Sequence, residues 1–265
     1  MKGTHFMIEF LRTLFVVSNY TFVEIFKSRI VLNIFLLGIF LTLITYVASE
    51  FTFGVPQRVA LDFGFGTLSL TSIGVSLFLG VGLLSQEIEN RTVYMVLSRP
   101  VSRTSFLAGR ILGMLWIQTL ILFILSGFSL FIYFYYDGQF DLLIFWNYVF
   151  IFLESLLVLL IVVFFSLITN RIIAVCNSLI LLFCGHVLND VKLINFTKNH
   201  VIFQQALKFY GFIFPNFYKL NIKDFVLYNQ KLTNTYLFSN LMYGIFYSLF
   251  LVTLSCLIFK RKNLD

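Results

Sequence analysis

Residues 3–29 set apolar side chains at near-helical spacing, Phe6, Phe10, Leu14 and Val17, then Phe22, Ile25 and Phe26, and close with Glu24, Lys27 and Arg29. That pattern predicts an amphipathic helix in a membrane interface, apolar stripe toward lipid. From residue 30 the periodicity gives way to runs that are apolar on every face, over about 30–48, 65–84, 109–135, 143–168, 172–189 and 237–259. Each is close to or above the roughly 20 residues that cross a hydrocarbon core at a helical rise of 1.5 Å. Six crossings put both ends of the chain on one side. Two connections stand out by length, 85–108 and 190–236. The second contains an amphipathic stretch, Val201 to Phe214, that stops at Pro215, which predicts a surface or partly re-entrant helix capping the bundle. The expected architecture is therefore all-α and integral to a membrane, one domain over residues 1–265, with a helical elbow at 1–29, six spans and a helical cap between spans five and six.

Composition agrees. Of 265 residues, 59% are hydrophobic and 12% charged, with a mean hydropathy of +0.92, whereas a soluble domain carries about 45–50% apolar and about 25% charged residues. The formal charge of +7 comes without a basic run or an RNA-binding pattern, so a nucleic-acid partner is not expected and anionic lipid headgroups are the natural counter-charge. Twelve of the 19 Lys and Arg fall on the side of the two ends, while Arg58 and six lysines of the 190–236 loop fall on the other. Because long loops cross with little regard to charge, the bias predicts cytoplasmic termini and an extracytoplasmic 190–236 loop. Cys176, Cys184 and Cys256 lie in apolar runs, at spacings that suggest neither a disulfide nor a metal site. Glu9, Arg12 and Glu24 interrupt the first apolar stretch, so it reads as a retained segment and not a cleaved leader.

The richest chemistry lies between spans two and three, where Ser85 to Gly113 reads SQEIENRTVYMVLSRPVSRTSFLAGRILG. Glu87, Glu89, Arg91, Arg99, Arg103 and Arg110 surround a short apolar set, Val93, Val96 and Leu97. Glu87 and Arg91 stand four apart, which favours a helix, and Pro100 ends it. A short helix under the bundle, its apolar side chains available to a partner, is the expected product. The order of residues, Glu87, Glu89, Thr92, Leu97, then Pro100-Val101-Ser102-Arg103 and Gly109-Arg110-x-x-Gly113, closely resembles that of type-2 ABC exporter permeases. Softer likeness runs along the chain in Glu24-x-x-Lys27-Ser28-Arg29, in Ser166-Leu-Ile-Thr169 and in Phe214-Pro215-Asn216; Arg91 stands where a glycine is common in that family. The likeness extends to the permeases of nitrous-oxide-reductase maturation and of gliding motility.

The resemblance implies a dimer of six-span permeases in a bacterial cytoplasmic membrane, in which a cytoplasmic coupling helix within 85–108 docks on a separate ATPase. The coupling residues would be Glu87, Glu89, Arg91, Thr92, Val93, Val96, Leu97, Pro100 and Arg103. ATP and Mg are then expected in two partner ATPase subunits, with no cofactor, metal or catalytic residue in this chain. No G-x-x-x-x-G-K-[ST] loop occurs in the sequence, so ATP phosphates would have to be held elsewhere.

Ser72, Ser76 and Gly80 recur every four residues on the second span, and Gly109 with Gly113 makes a GxxxG at the start of the third. Small faces let helices approach closely in lipid; packing inside one bundle and contact with a second permease both fit, and Ser72, Ser76, Gly80 and Glu154 form a candidate pathway or dimer face. The first span and the outer end of the fifth, near Cys184 and Val187, are further dimer candidates. Glu154 is the carboxylate deepest in a predicted span, where a charge costs about 2.5–3.5 kcal/mol on insertion scales; a proton or substrate role and a structural role are both open. His186 and Asp190, four apart at the end of the fifth span, are too few for a metal site. An intramembrane enzyme using Glu154 and His186, or a non-transport membrane anchor, are the rival readings, and no Ser-His-Asp order or H-E-x-x-H supports the former.

Overall fold

The computed structural model describes residues 2–52, 54–82, 102–193, 200–228 and 230–261, and among these it is all-helical. The helices are α1 (Lys2–Phe26), α2 (Arg29–Glu50), α3 (Pro56–Gly82), α4 (Arg103–Tyr135), α5 (Leu142–Ile168), α6 (Arg171–Leu193), α7 (Val201–Ile213), α8 (Lys223–Leu227) and α9 (Asn234–Arg261), with a 3-10 turn at Phe217–Leu220. Six of them, α2 to α6 and α9, are long and apolar enough to cross a membrane. Phe40, Phe78, Phe123, Phe131, Ile172, Phe183 and Phe246 stand on the outside, each more than half exposed. The buried set includes Thr21, Ser72, Ser76, Gln118, Asn147, Glu154 and Ser155. Apolar groups outward and small polar groups inward is the arrangement of a multi-pass membrane protein, because in lipid the outward apolar side chain costs nothing and the polar one needs an internal partner.

The span boundaries differ from expectation at two places. The second span starts at Pro56, nine residues before the expected 65, because Pro fits the first turn of a helix, where its missing N–H is not needed. The third starts at Arg103, so 103–108 belong to the span and not to the connection. Ser102 is its N-cap, with extended φ and ψ and an Oγ that accepts from Ser105 N at 3.1 Å.

α5 is the axis: 78% of its apolar stretch is buried, against 22% for α2 and for α9. It packs on α3, α9 and α6. Directions follow from matched registers. Ser76 meets Ser155 and Gly80 meets Val162, so α3 and α5 run in parallel; Gln118 meets Ser76 while Ser129 meets Gly64, so α4 runs against α3. Phe259 stacks near Phe106, which sets α9 against α4. The crossings alternate, and Asn170 between α5 and α6 lies at the opposite end of the bundle from α7, the 3-10 turn and α8, here called the loop side.

α7 is the amphipathic helix expected before Pro215, but it does not seal the bundle. Ile202 and Phe209 on it are 80% and 69% exposed. The seal is the stretch after it, where Phe217, Leu220, Ile222 and Val226 are all but fully buried. Gly185 makes room for Phe217: a Cβ there would come 2.5 Å from the Phe217 ring and 2.7 Å from the Pro215 carbonyl. Asn216 N donates to Tyr243 Oη at 2.8 Å and ties the segment to α9.

Candidate functional site

Three polar assemblies organise the bundle. The first joins α1 to the start of α4. Gly109 faces Val17 and the Leu14 carbonyl, and Gly113 faces Thr21 and the Ser18 carbonyl, so the two helices run in the same direction at backbone contact. A Cβ on Gly113 would lie 2.7 Å from the Ser18 oxygen. Between the glycines Arg110, 4% exposed, donates from Nη1 to Thr21 Oγ1 at 3.2 Å and to Glu24 Oε2. The guanidinium also lies 5.7 and 5.8 Å from the Phe106 and Tyr20 ring centroids. A buried guanidinium without an acid would be strongly destabilising, so Glu24 and Arg110 fix the register of α1 on α4. The seam of α1 is thus Leu14, Val17, Ser18, Thr21 and Ile25, while Phe15, Val16, Tyr20 and Phe26 of the same helix point outward. The expected stripe faced lipid throughout; instead its members Leu14, Val17 and Ile25 turn toward α4, and Phe26 stays outside. Small residues face the partner helix because they allow closer approach, and the bulky ones lose nothing in lipid.

The second assembly clasps α3, α4 and α5. Gln118, fully buried, gives its two amide protons to Ser76 Oγ at 3.0 Å and to Ser155 Oγ. Each serine passes its own proton on: Ser155 to the Phe152 carbonyl at 2.9 Å, Ser76 to the Ser155 carbonyl at 2.7 Å, with Ser72 O at 2.8 Å as a second acceptor. One turn along, Gly80 lies under Val162, where a Cβ would come within 2.7 Å of a side-chain methyl. Of the candidate face Ser72, Ser76 and Gly80, the last two are covered by α5 of the same chain, and Ser72 is 2% exposed. The Gly109 and Gly113 pair is likewise filled by α1.

The third is a cavity of about 260 Å³ on the loop side between α3, α5 and α6. Phe65, Ile151 and Leu220 form apolar walls, and Glu154, His186, Asn147 and Ser69 give it polar groups. Glu154 is only 5% exposed and Asn147 2%. His186 Nδ1 lies 3.1 Å from the Leu182 carbonyl, an oxygen that can only accept, so Nδ1 carries a proton. Its Nε2 stands 3.3 Å from Glu154 Oε1, out of line for a hydrogen bond. The ring stacks on Phe217 at 5.8 Å with an 8° interplanar angle. Asn147 Nδ2 and Glu154 Oε1 have no hydrogen-bond partner among the described residues. At the mouth Lys223 of α8 is ion-paired to Asp62 of α3.

Among the expected coupling residues, Glu87, Glu89, Arg91, Thr92, Val93, Val96, Leu97 and Pro100 lie outside the described residues. Arg103 is the first residue of α4, immediately after its cap. Glu154 and His186, expected on separate spans without a link, come together. Cys184 and Val187 remain on the surface of α6. Sequence reasoning passed over Gln118, Ser155, Asn147 and Lys223. A signal was available for two of them: Gln118 is the one carboxamide in α4 and Asn147 the one in α5, and a carboxamide inside an apolar run needs a partner.

No family model matches the chain. A search of curated proteins also finds no match.

Proposed function

We propose that this chain is the membrane-spanning permease subunit of an ATP-binding cassette transporter, a dimer in a bacterial cytoplasmic membrane with both termini in the cytoplasm, driven by two separate ATPase subunits. The reading rests on the residue order of 85–113. The observation that carries it furthest is that two distant parts of the resemblance, Glu24 near the start and Gly109-Arg110-x-x-Gly113, meet as one interlocked contact. In this reading ATP binding and hydrolysis in the partners move the segment around Val96 and Leu97. α4 follows directly from that segment and, at 33 residues, is a rod of about 50 Å. α1 clamps its first turns, and the Gln118 clasp ties it to α3 and α5. Displacement at the partner would therefore reach the loop side as a shift between packed arrangements and not as local bending.

Substituting Val96 and Leu97 together by Asp is expected to abolish copurification of an ATPase from the native membrane, with the permease still inserted. An unchanged complex would overturn the reading. Mass measurement of the solubilised complex should give two permeases with two ATPases, and one of each would refute a shared pathway. A second reading, an intramembrane enzyme, draws on the meeting of Glu154 and His186; turnover by the purified chain alone would favour it.

A further inference from the structure

The loop-side cavity has a donor and acceptor pattern that the fold itself leaves unmet. The His186 ring commits its Nδ1 proton to the Leu182 carbonyl, so a neutral imidazole turns the lone pair of Nε2 toward the Glu154 carboxylate. Glu154 Oε1 then lies 3.3 Å from Nε2 with no hydrogen bond between them. A donor group placed beside the pair serves both atoms. Among the described residues Glu154 is the sole acid lining the cavity, and the one cation lining it, the Lys223 ammonium, is already engaged by Asp62. The cavity as a whole therefore favours positive charge.

Two turns away on the same helix, about 10 Å along its axis, the buried Asn147 amino group has no acceptor among the described residues. Apolar walls from Phe65, Ile151 and Leu220 separate these polar ends. A volume of about 260 Å³ has room for about eight water-sized groups. We infer that the cavity binds a small protonated organic amine, its ammonium held between Glu154 and His186, a short carbon chain against the apolar walls, and an oxygen at the far end accepting from Asn147. Ligand sites are commonly apolar with a few placed polar groups, and a carboxylate at membrane depth calls for a cationic partner. The inference concerns binding by this chain alone and does not depend on the permease reading or on any ATPase.

The test is calorimetric titration of the full chain, with whatever subunits copurify, in lipid nanodiscs at neutral pH with 5-aminopentanol. Saturable binding at one site per chain is expected, at least about tenfold tighter than for neutral pentane-1,5-diol, which keeps length and oxygen but lacks the charge. Hexylamine, which lacks the oxygen, should bind more weakly and be indifferent to Asn147→Leu. Glu154→Gln should weaken 5-aminopentanol about tenfold or more. Should Glu154→Gln not fold, Gly66→Leu decides: a Cβ at Gly66 meets only Lys223 Nζ, at 3.7 Å, so the side chain can enter the cavity, and binding should vanish while the chain stays folded. Absence of binding, equal binding of the diol, preference for 5-hydroxypentanoate, or binding untouched by Gly66→Leu would each overturn the proposal.

Discussion

Two buried carboxamides, one on α4 and one on α5, face opposite circumstances. Gln118 hands both amide protons to serines on two other helices, and those serines hand theirs to carbonyls. Asn147, equally withdrawn from solvent, has an amino group with no hydrogen-bond acceptor among the described residues. The first arrangement is a closed chain of donors that holds three helices at fixed spacing. The second is a polar group held in place by apolar packing in the wall of a cavity, its amino group left unmatched. Depth and side-chain type are alike, so neither decides between structure and function. What decides is whether neighbouring helices supply the complement.

The contrast is most forcefully tested on α3, which contributes a glycine to each region. Gly80→Leu would drive its Cβ into Val162 and the Leu159 carbonyl, and is expected to destabilise the bundle by about 1–3 kcal/mol, read as a lowered unfolding midpoint in detergent. Gly66→Ala, beside the cavity, should leave that midpoint unchanged or raise it slightly, since helix propensity favours Ala and the space is open. Equal losses from the two would mean that the cavity wall is as tightly packed as the clasp.

Next in size is the pair of carboxamide replacements. Gln118→Leu removes two interhelical hydrogen bonds, each worth about 0.6–2 kcal/mol in membrane proteins, so a loss of roughly 1–4 kcal/mol is expected. Asn147→Leu removes a buried donor that has no partner and should be neutral or stabilising. A stability loss at Asn147 matching that at Gln118 would show that its amide is structural after all.

The smallest effects concern water access and cost no stability. Ser69→Cys, lining the cavity, should react with an impermeant thiol reagent applied from the loop side, in a background lacking Cys176, Cys184 and Cys256, whereas Ser76→Cys, two turns away inside the clasp, should not. In the same background Gln230→Cys and Asn170→Cys should be labelled from opposite faces of the membrane. Labelling of Ser76→Cys as fast as Ser69→Cys would dissolve the distinction between the two regions.

Much of this architecture was legible in the residues alone, for a definite reason. A run of about 20 apolar residues satisfies its own backbone as a helix and needs no partner to enter a bilayer, so the six spans could be read one at a time; α7 before Pro215 was readable because its stripe is local too. Boundaries at Pro56 and Arg103 were missed by nine and six residues, since polar first turns capped by Ser102 or opened by Pro56 carry little hydropathy. Periodicity also revealed faces: Ser72, Ser76 and Gly80 on one, Gly109 and Gly113 on another. It could not reveal what lies opposite a face, because that depends on the tilt and rotation of helices distant in sequence. Only the tertiary structure decided that α5 covers the first face and α1 the second, that Glu24 neutralises Arg110, and that Glu154 and His186, 32 positions apart, share one cavity with Asn147. Each helix determines its own surface by itself; a site exists only where several surfaces converge and one of them leaves a charge or an amide without its complement.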